Sequence, residues 1–281
     1  MSTDDPQSRV TLRTVRHWAR DGEKFPMLTC YDATTAQWLW LGGVRTLLVG
    51  DTAAEMILGH DSTLPATVPF LVELTAAVRR GAPNAFIMAD MPFGSYHCGD
   101  DAAMGNAMRF LTEGRADVVK LEVDASFAPL VERMAHAGIP VVAHVGSRPQ
   151  QVRQRGGYGS VGRSRREADE VVEAAQVMVR AGAAMLLIEA VPAEVSQRIV
   201  ELAQSPRTAE PVPVVGCGAG PACHGHVVVL HDLVGLTNWH PPFVHPVASL
   251  GESLQNAAAA WSRLVKSGQY LAKDHPYKMD R

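Results

Sequence analysis

Lys120 and Glu122 stand two residues apart in the run Val118-Val119-Lys120-Leu121-Glu122. Its β-branched residues mark it as a buried strand. Alternate residues of a strand share a face, so the ammonium and the carboxylate point the same way. Two charges withdrawn from water need a partner to hold them there. A metal ion or an anionic substrate would serve, and so would a plain internal ion pair. Five other apolar runs end alike, on Asp32, Asp51, Asp90, His144 and Glu189. One polar strand end is ordinary; six in register at one mouth point to chemistry.

Three carboxylates with waters and substrate oxygens suit an octahedral Mg²⁺. Asp51, Asp90 and Glu122 come from three successive strands, so their heads are expected to meet. Lys120 beside them would neutralise an anionic substrate group. Glu189 is expected across the mouth, free to act as a base. The metal would polarise a carbonyl, and the base would take the proton next to it.

The elements that must position these residues alternate. Strands are expected near 25–32, 45–51, 85–90, 118–122, 140–144, 184–189 and 212–220, with 227–232 as an eighth strand or a helix. Helices are expected near 10–21, 33–41, 68–80, 100–114, 126–137, 166–181 and 193–204. Alternation means a parallel sheet, and seven or eight such units mean a single closed (β/α)8 TIM barrel over residues 1–281. An open doubly wound sheet is the other reading; it lacks a G-x-G-x-x-G before a first helix. Residues 1–9 read as a loose arm, 59–67 and 148–165 as loops, and 252–271 as an additional C-terminal helix packing on the barrel or on another subunit.

The composition fits a soluble globular protein. Of 281 residues, 47% are hydrophobic and 20% charged, and the formal net charge is -3. That balance points to no nucleic acid and no membrane surface as partner. The polar start, residues 1–9, reads as no signal peptide. Cys30, Cys98, Cys217 and Cys223 are too few for a disulfide scaffold and fit reduced cytoplasmic thiols. Cys217, Cys223, His224 and His226 match no common zinc spacing. The glycines at 156, 157, 159 and 162 read as a mobile loop before they read as a phosphate cradle.

The chain resembles the ketopantoate (3-methyl-2-oxobutanoate) hydroxymethyltransferase family from about Leu28 to His231. The strongest segments are Leu48-Val-Gly-Asp51, Gly59-His-Asp-Ser-Thr-Leu-Pro65, Thr75 to Pro83, Ala89-Asp-Met-Pro-Phe93, Val119-Lys-Leu-Glu122, Gly156-Gly-Tyr158 and Gly216-Cys-Gly-Ala-Gly220. The resemblance implies a barrel of the phosphoenolpyruvate mutase and isocitrate lyase group. It implies Mg²⁺, transfer from 5,10-methylenetetrahydrofolate to a 2-oxo acid in pantothenate synthesis, and a homo-oligomer, typically a decamer. It assigns Asp51, Asp90 and Glu122 to the metal and Glu189 to the base. It assigns Asp51, Thr52 (usually serine), Asp90, Lys120 and His144 to the substrate side of the mouth.

The chain departs from that pattern at Ala54, Leu74, Val123-Asp124, Gly159, Pro221 to His224 and Pro241 to His245. An altered shell leaves room for a paralogue with another 2-oxo acid or one-carbon donor, or for a barrel that only binds. A carbon–carbon lyase is a further alternative, resting on Cys98 in the loop 91–99.

Overall fold

A computed structural model of the chain describes residues 8–204, 210–271 and 276–277. Most of the expected N-terminal arm, residues 1–7, lies outside them. The described chain forms two compact units, 1–229 and 230–281.

The first unit is a closed barrel of eight parallel strands in sequential order. They are β1 (Phe25–Thr29), β2 (Thr46–Val49), β3 (Phe86–Asp90), β4 (Val118–Glu122), β5 (Val141–Gly146), β6 (Met185–Glu189), β7 (Val214–Cys217) and β8 (Gly225–Val228). The expected strand-or-helix at 227–232 is both: β8 ends at Val228 and helix 230–233 follows. β8 closes on β1 with Phe25 opposite Gly225, which excludes the open sheet. A Cβ on Gly225 would lie 2.3 Å from the Phe25 ring, so closure needs glycine there.

Helices α1 (Leu12–Asp21), α2 (Ala33–Leu41), α3 (Ala53–Met56), α4 (Val68–Gly81), α5 (Asp100–Thr112), α6 (Ala128–His136), α7 (Val152–Arg155), α8 (Arg165–Arg180) and α9 (Ala193–Ala203) accompany the strands. Local chemistry sets their starts. Thr11 and Ser164 form capping boxes, and Thr67 and Asp32 cap through side-chain oxygens, satisfying N–H groups that a helix start leaves open. α7 falls inside the stretch read as loop; it follows a 3-10 turn at Pro149–Gln151, where proline suits a first helical turn.

At the strands' N-terminal end, Arg79 is 1% exposed. Its guanidinium donates to the carbonyls of Arg115, Pro83 and Ala85 and, at 2.6 Å, to Asp117 Oδ2. Asp117 also accepts the Ile87 N–H at 2.8 Å. The pair thus joins α4 to the starts of β3 and β4.

The second unit holds α10 (Leu230–Leu233) and α11 (Leu250–Lys266). α11 carries Leu250, Leu254, Trp261 and Leu264 at helical spacing and stops short of the expected 271. Among the described residues no helix is long and apolar enough to cross a membrane.

Candidate active site

Period-two alternation sorts the barrel interior into layers. Phe25, Met27, Leu48, Phe86, Met88, Val118, Val142, Met185, Leu187 and Val215 form one apolar cluster. Continuing the same parity brings Asp90, Lys120, Glu122, His144 and Glu189 inward at the strands' C-terminal ends. Register sets them side by side: Asp90 opposite Lys120, Glu122 opposite His144, Glu189 opposite Gly146. Asp51 and Thr52 follow the end of β2 on a turn. A Cβ on Gly50 would meet Thr52 Oγ1 at 2.9 Å and Asp90 Oδ2 at 3.5 Å, so the chain approaches the site this closely because residue 50 is glycine.

Lys120 is the hub. Its Nζ lies 3.1 Å from Asp90 Oδ1 and 3.2 Å from His144 Nδ1. The Lys120 ammonium is thus the partner of the buried Asp90 Oδ1. Asp90 Oδ2 accepts the Asp51 backbone N–H at 3.0 Å. The Thr52 and Tyr31 hydroxyls lie 2.6 Å apart. His144, 1% exposed, places Nδ1 at 3.7 Å from Glu122 Oε1 and Nε2 at 3.5 Å from Glu189 Oε2.

The charges distort one another. Burial, then repulsion from Asp90, lifts Asp51 to about 7 against the pull of Lys120. Burial raises Asp90 too, with Lys120 opposing. Burial and then Asp51 push Glu122 well above the carboxylate range. Burial alone would lower Lys120; Asp90, Asp51 and Glu122 outweigh it and keep the ammonium charged. Burial and then Lys120 hold His144 well below its usual value, hence neutral. Glu189 keeps 23% of its side chain exposed, yet the protein around its carboxylate raises it to about 7 against Lys120. Such perturbed groups at one mouth mark a functional site.

Not every expected residue arrives. Asp32 is exposed and caps α2, accepting the Thr35 N–H at 2.8 Å; its polarity serves the helix start. Asp51 and Asp90 adjoin, while Glu122 Oε2 turns to the Gln150 backbone N–H at 3.0 Å. Among the described residues no three His, Cys, Asp or Glu side chains stand together as a metal cluster. The Cys217, Cys223, His224 and His226 set is split: Cys217 ends β7, whereas the other three lie at the start of β8. His224 accepts the Val214 N–H at 2.9 Å, a structural bond. Cys98 is exposed before α5.

The departures are largely absorbed by packing. Ala54 and Val123 are buried in the core and Leu74 packs against it. Asp124 pairs with Arg148 at 2.8 Å, and His224 is at the far end of the barrel from the mouth.

Sequence reasoning misses three residues that order the site: Tyr31, Tyr96 and Gln150. They carry no formal charge and belong to no spacing pattern. The signal available was an accounting one: buried carboxylate oxygens need donors, and the loops beyond the strands must supply them. Beside Glu122 and Gln150 the mouth opens into a cavity of about 540 Å³, walled by Phe93, Tyr96 and Phe127.

Residues 9–273 match the family model described as ketopantoate hydroxymethyltransferase. The 3-methyl-2-oxobutanoate hydroxymethyltransferase of Syntrophus aciditrophicus (strain SB) is 40% identical over 99% of this chain and 100% of its own. That of Frankia alni is 41% identical over 96% of this chain and 87% of its own. Among solved structures, phosphoenolpyruvate phosphomutase from Streptomyces platensis subsp. rosaceus is 14% identical, with a TM-score of 0.60 over 96% of this chain and 92% of that one. For 2,3-dimethylmalate lyase, called a member of the PEP mutase/isocitrate lyase superfamily, the values are 15% and 0.58 over 92% and 88%. These two share the barrel, and the full-length matches at about 40% identity go further: the chain belongs to the ketopantoate hydroxymethyltransferase family.

Proposed function

We propose that the chain transfers a one-carbon unit from 5,10-methylenetetrahydrofolate to C3 of 3-methyl-2-oxobutanoate, with Mg²⁺, giving 2-dehydropantoate for pantothenate synthesis. The observation that carries this reading is Glu189, partly open at the mouth and poised near neutrality, set apart from the Asp51, Asp90 and Lys120 cluster. A base separated from a charge-stabilising group is what removal of a proton beside a carbonyl requires.

The donor set suits Mg²⁺. The oxygens are hard, and Asp51 and Asp90 adjoin, the Asp51 N–H donating to Asp90 Oδ2. Mg²⁺ commonly takes one or two carboxylates and keeps several waters, so Asp51 and Asp90 would hold it with Glu122 beside them. When bound, the ion would polarise the 2-oxo group and make the neighbouring C3 proton acidic.

The protein's own groups do the rest. Lys120, fixed between Asp90 and His144, presents a permanent positive charge to the oxo acid. Thr52, held by Tyr31, offers its hydroxyl to the substrate carboxylate. The Lys120 ammonium can only donate, so His144 Nδ1 accepts and the ring proton sits on Nε2. His144 Nε2 lies 3.5 Å from Glu189 Oε2, without a hydrogen bond between them, so we read His144 as a neutral ring packed between Lys120 and the base. Glu189 then takes the C3 proton. Water adds to the methylene carbon of the donor and both its C–N bonds break, releasing tetrahydrofolate and leaving formaldehyde; the carbanion at C3 bonds that carbon, and the resulting alkoxide takes back a proton to become the hydroxyl. The cavity beside Glu122, with its aromatic wall, gives a ring-bearing donor room to reach C3.

The test is product formation from 3-methyl-2-oxobutanoate, methylenetetrahydrofolate and Mg²⁺. 2-Dehydropantoate is the expected product. Turnover of a different 2-oxo acid alone would move the chain to a paralogous reaction, and absence of C3 proton exchange on any 2-oxo acid would overturn the reading.

A further inference from the structure

Gln150 lies in the 3-10 turn after β5, 5% exposed. One end of its side-chain amide is 3.1 Å from the Met91 carbonyl. A carbonyl only accepts, so that end is the nitrogen, and the orientation of the amide follows from its surroundings. The second proton on the same nitrogen goes to Asp51 Oδ2 at 2.8 Å. At the other end, Oε1 accepts from the Tyr96 hydroxyl at 2.6 Å. The Tyr96 oxygen accepts the Glu122 backbone N–H at 3.2 Å. The Gln150 backbone N–H donates to Glu122 Oε2 at 3.0 Å. One residue therefore ties down an oxygen of both Asp51 and Glu122. A donor facing Asp51 Oδ2 also requires that oxygen to be free of a proton.

We propose that Gln150 is a positioning residue for a divalent cation, holding the Asp51 and Glu122 carboxylates in the orientation in which their remaining oxygens can face the ion; this rests on the metal reading above. Tyr96 is its orienting partner, because its hydroxyl donates to the amide oxygen and so keeps the nitrogen turned toward Asp51. Partners behind metal ligands of this kind commonly contribute about 10–100-fold in metal affinity. Neither residue needs to touch substrate for this role.

Gln150→Met tests the side chain alone. It keeps the length and the backbone N–H to Glu122 but removes the donor to Asp51. The readout is Mn²⁺ affinity from the free-ion electron paramagnetic resonance signal, with no oxo acid present and hence no turnover. The expected result is a Kd raised about 10–100-fold in Gln150→Met and raised by a smaller factor in Tyr96→Phe. The rate of C3 exchange should recover toward wild type at saturating Mn²⁺, which a packing defect would not show. If Gln150→Met does not fold, Tyr96→Phe, which keeps the ring, decides by the same titration. Wild-type binding with an unchanged Kd in the folded variants overturns the role of Gln150 and leaves the metal reading standing. A wild-type protein that binds no Mn²⁺ overturns both.

Discussion

Glu189→Gln should lower activity and raise stability at once. The substitution exchanges one carboxylate oxygen for an amide nitrogen at nearly constant volume. Loss of a general base costs about 10²–10⁴ in rate, so C3 proton exchange should fall by that factor while the oxo acid still binds. The stability change follows from the proton. Burial raises Glu189 from the usual 4.5 to about 7, so the folded state binds a proton more tightly than the unfolded state does. Below pH 4.5 the residue is neutral in both states and contributes no difference. As pH climbs toward 7 the folded state must release a proton it favours, and stability is lost. Above 7 the loss is complete, at most about 3 kcal/mol. The neutral amide has no such loss. Urea unfolding at pH 8 should therefore show the variant more stable by up to about 3 kcal/mol, and the gap should shrink toward zero near pH 4.5. Deuterium exchange at C3, followed by nuclear magnetic resonance, reports the rate. Reduced exchange with reduced stability at every pH would refute the reasoning, since a failed fold would then explain the lost rate.

Three other outcomes follow from the same geometry. The pH profile of C3 exchange should rise to an inflection between the ordinary glutamate value of about 4.3 and about 7, because a cation neutralises Asp51 and Asp90, whose repulsion helps raise Glu189; a rate independent of pH over that range would contradict it. Asp90→Asn should weaken Mg²⁺ and oxo acid together in calorimetry, since a carboxylate charge is lost beside Asp51 and Lys120; loss of one affinity without the other would separate the two sites. Arg79→Met should destabilise by about 3–5 kcal/mol, as breaking one side of a buried ion pair does, with C3 exchange per folded molecule unchanged; a neutral effect in urea unfolding would show that the bonds to Arg115, Pro83, Ala85 and Asp117 are dispensable.

The barrel was legible because each strand is a short apolar run with helical spacing on both sides, and the site because its charged members sit where those runs stop. Parity set Lys120 and Glu122 on one face, as the strand register has them. It failed at Asp32, where the same strand-end acid caps a helix: from sequence alone, an acid before Ala33-Thr-Thr reads equally well as either. Charge pattern could not reveal Gln150 or Tyr96, because a neutral amide and a phenol become informative only when two distant loops bring them against buried carboxylates. The departures looked like changes to the substrate shell because sequence places them near catalytic motifs. Ala54 and Val123 are adjacent in sequence to the site yet face the core.

The loop after β5 is fixed at both its ends to neighbouring carbonyls. Ser147 N–H donates to Glu189 O at 2.9 Å and Val161 N–H donates to Ala190 O at 3.0 Å. Ala190 itself takes a left-handed φ of 49, uncommon for a residue with a Cβ. Between those anchors, residues 153–160 are exposed, with the Tyr158 hydroxyl donating to Glu55 at 3.1 Å. Such a segment is an Ω-shaped insert with a fixed base and an exposed crown tied to α3 through Tyr158. In engineering terms Gly159 is the open position of that crown: a Cβ there meets nothing within 4 Å, so a side chain can be added without touching Gln150 near one root or Glu189 beneath both. Size and polarity at the rim of the mouth can therefore be varied from this one position while the buried carboxylates behind it keep their bonds.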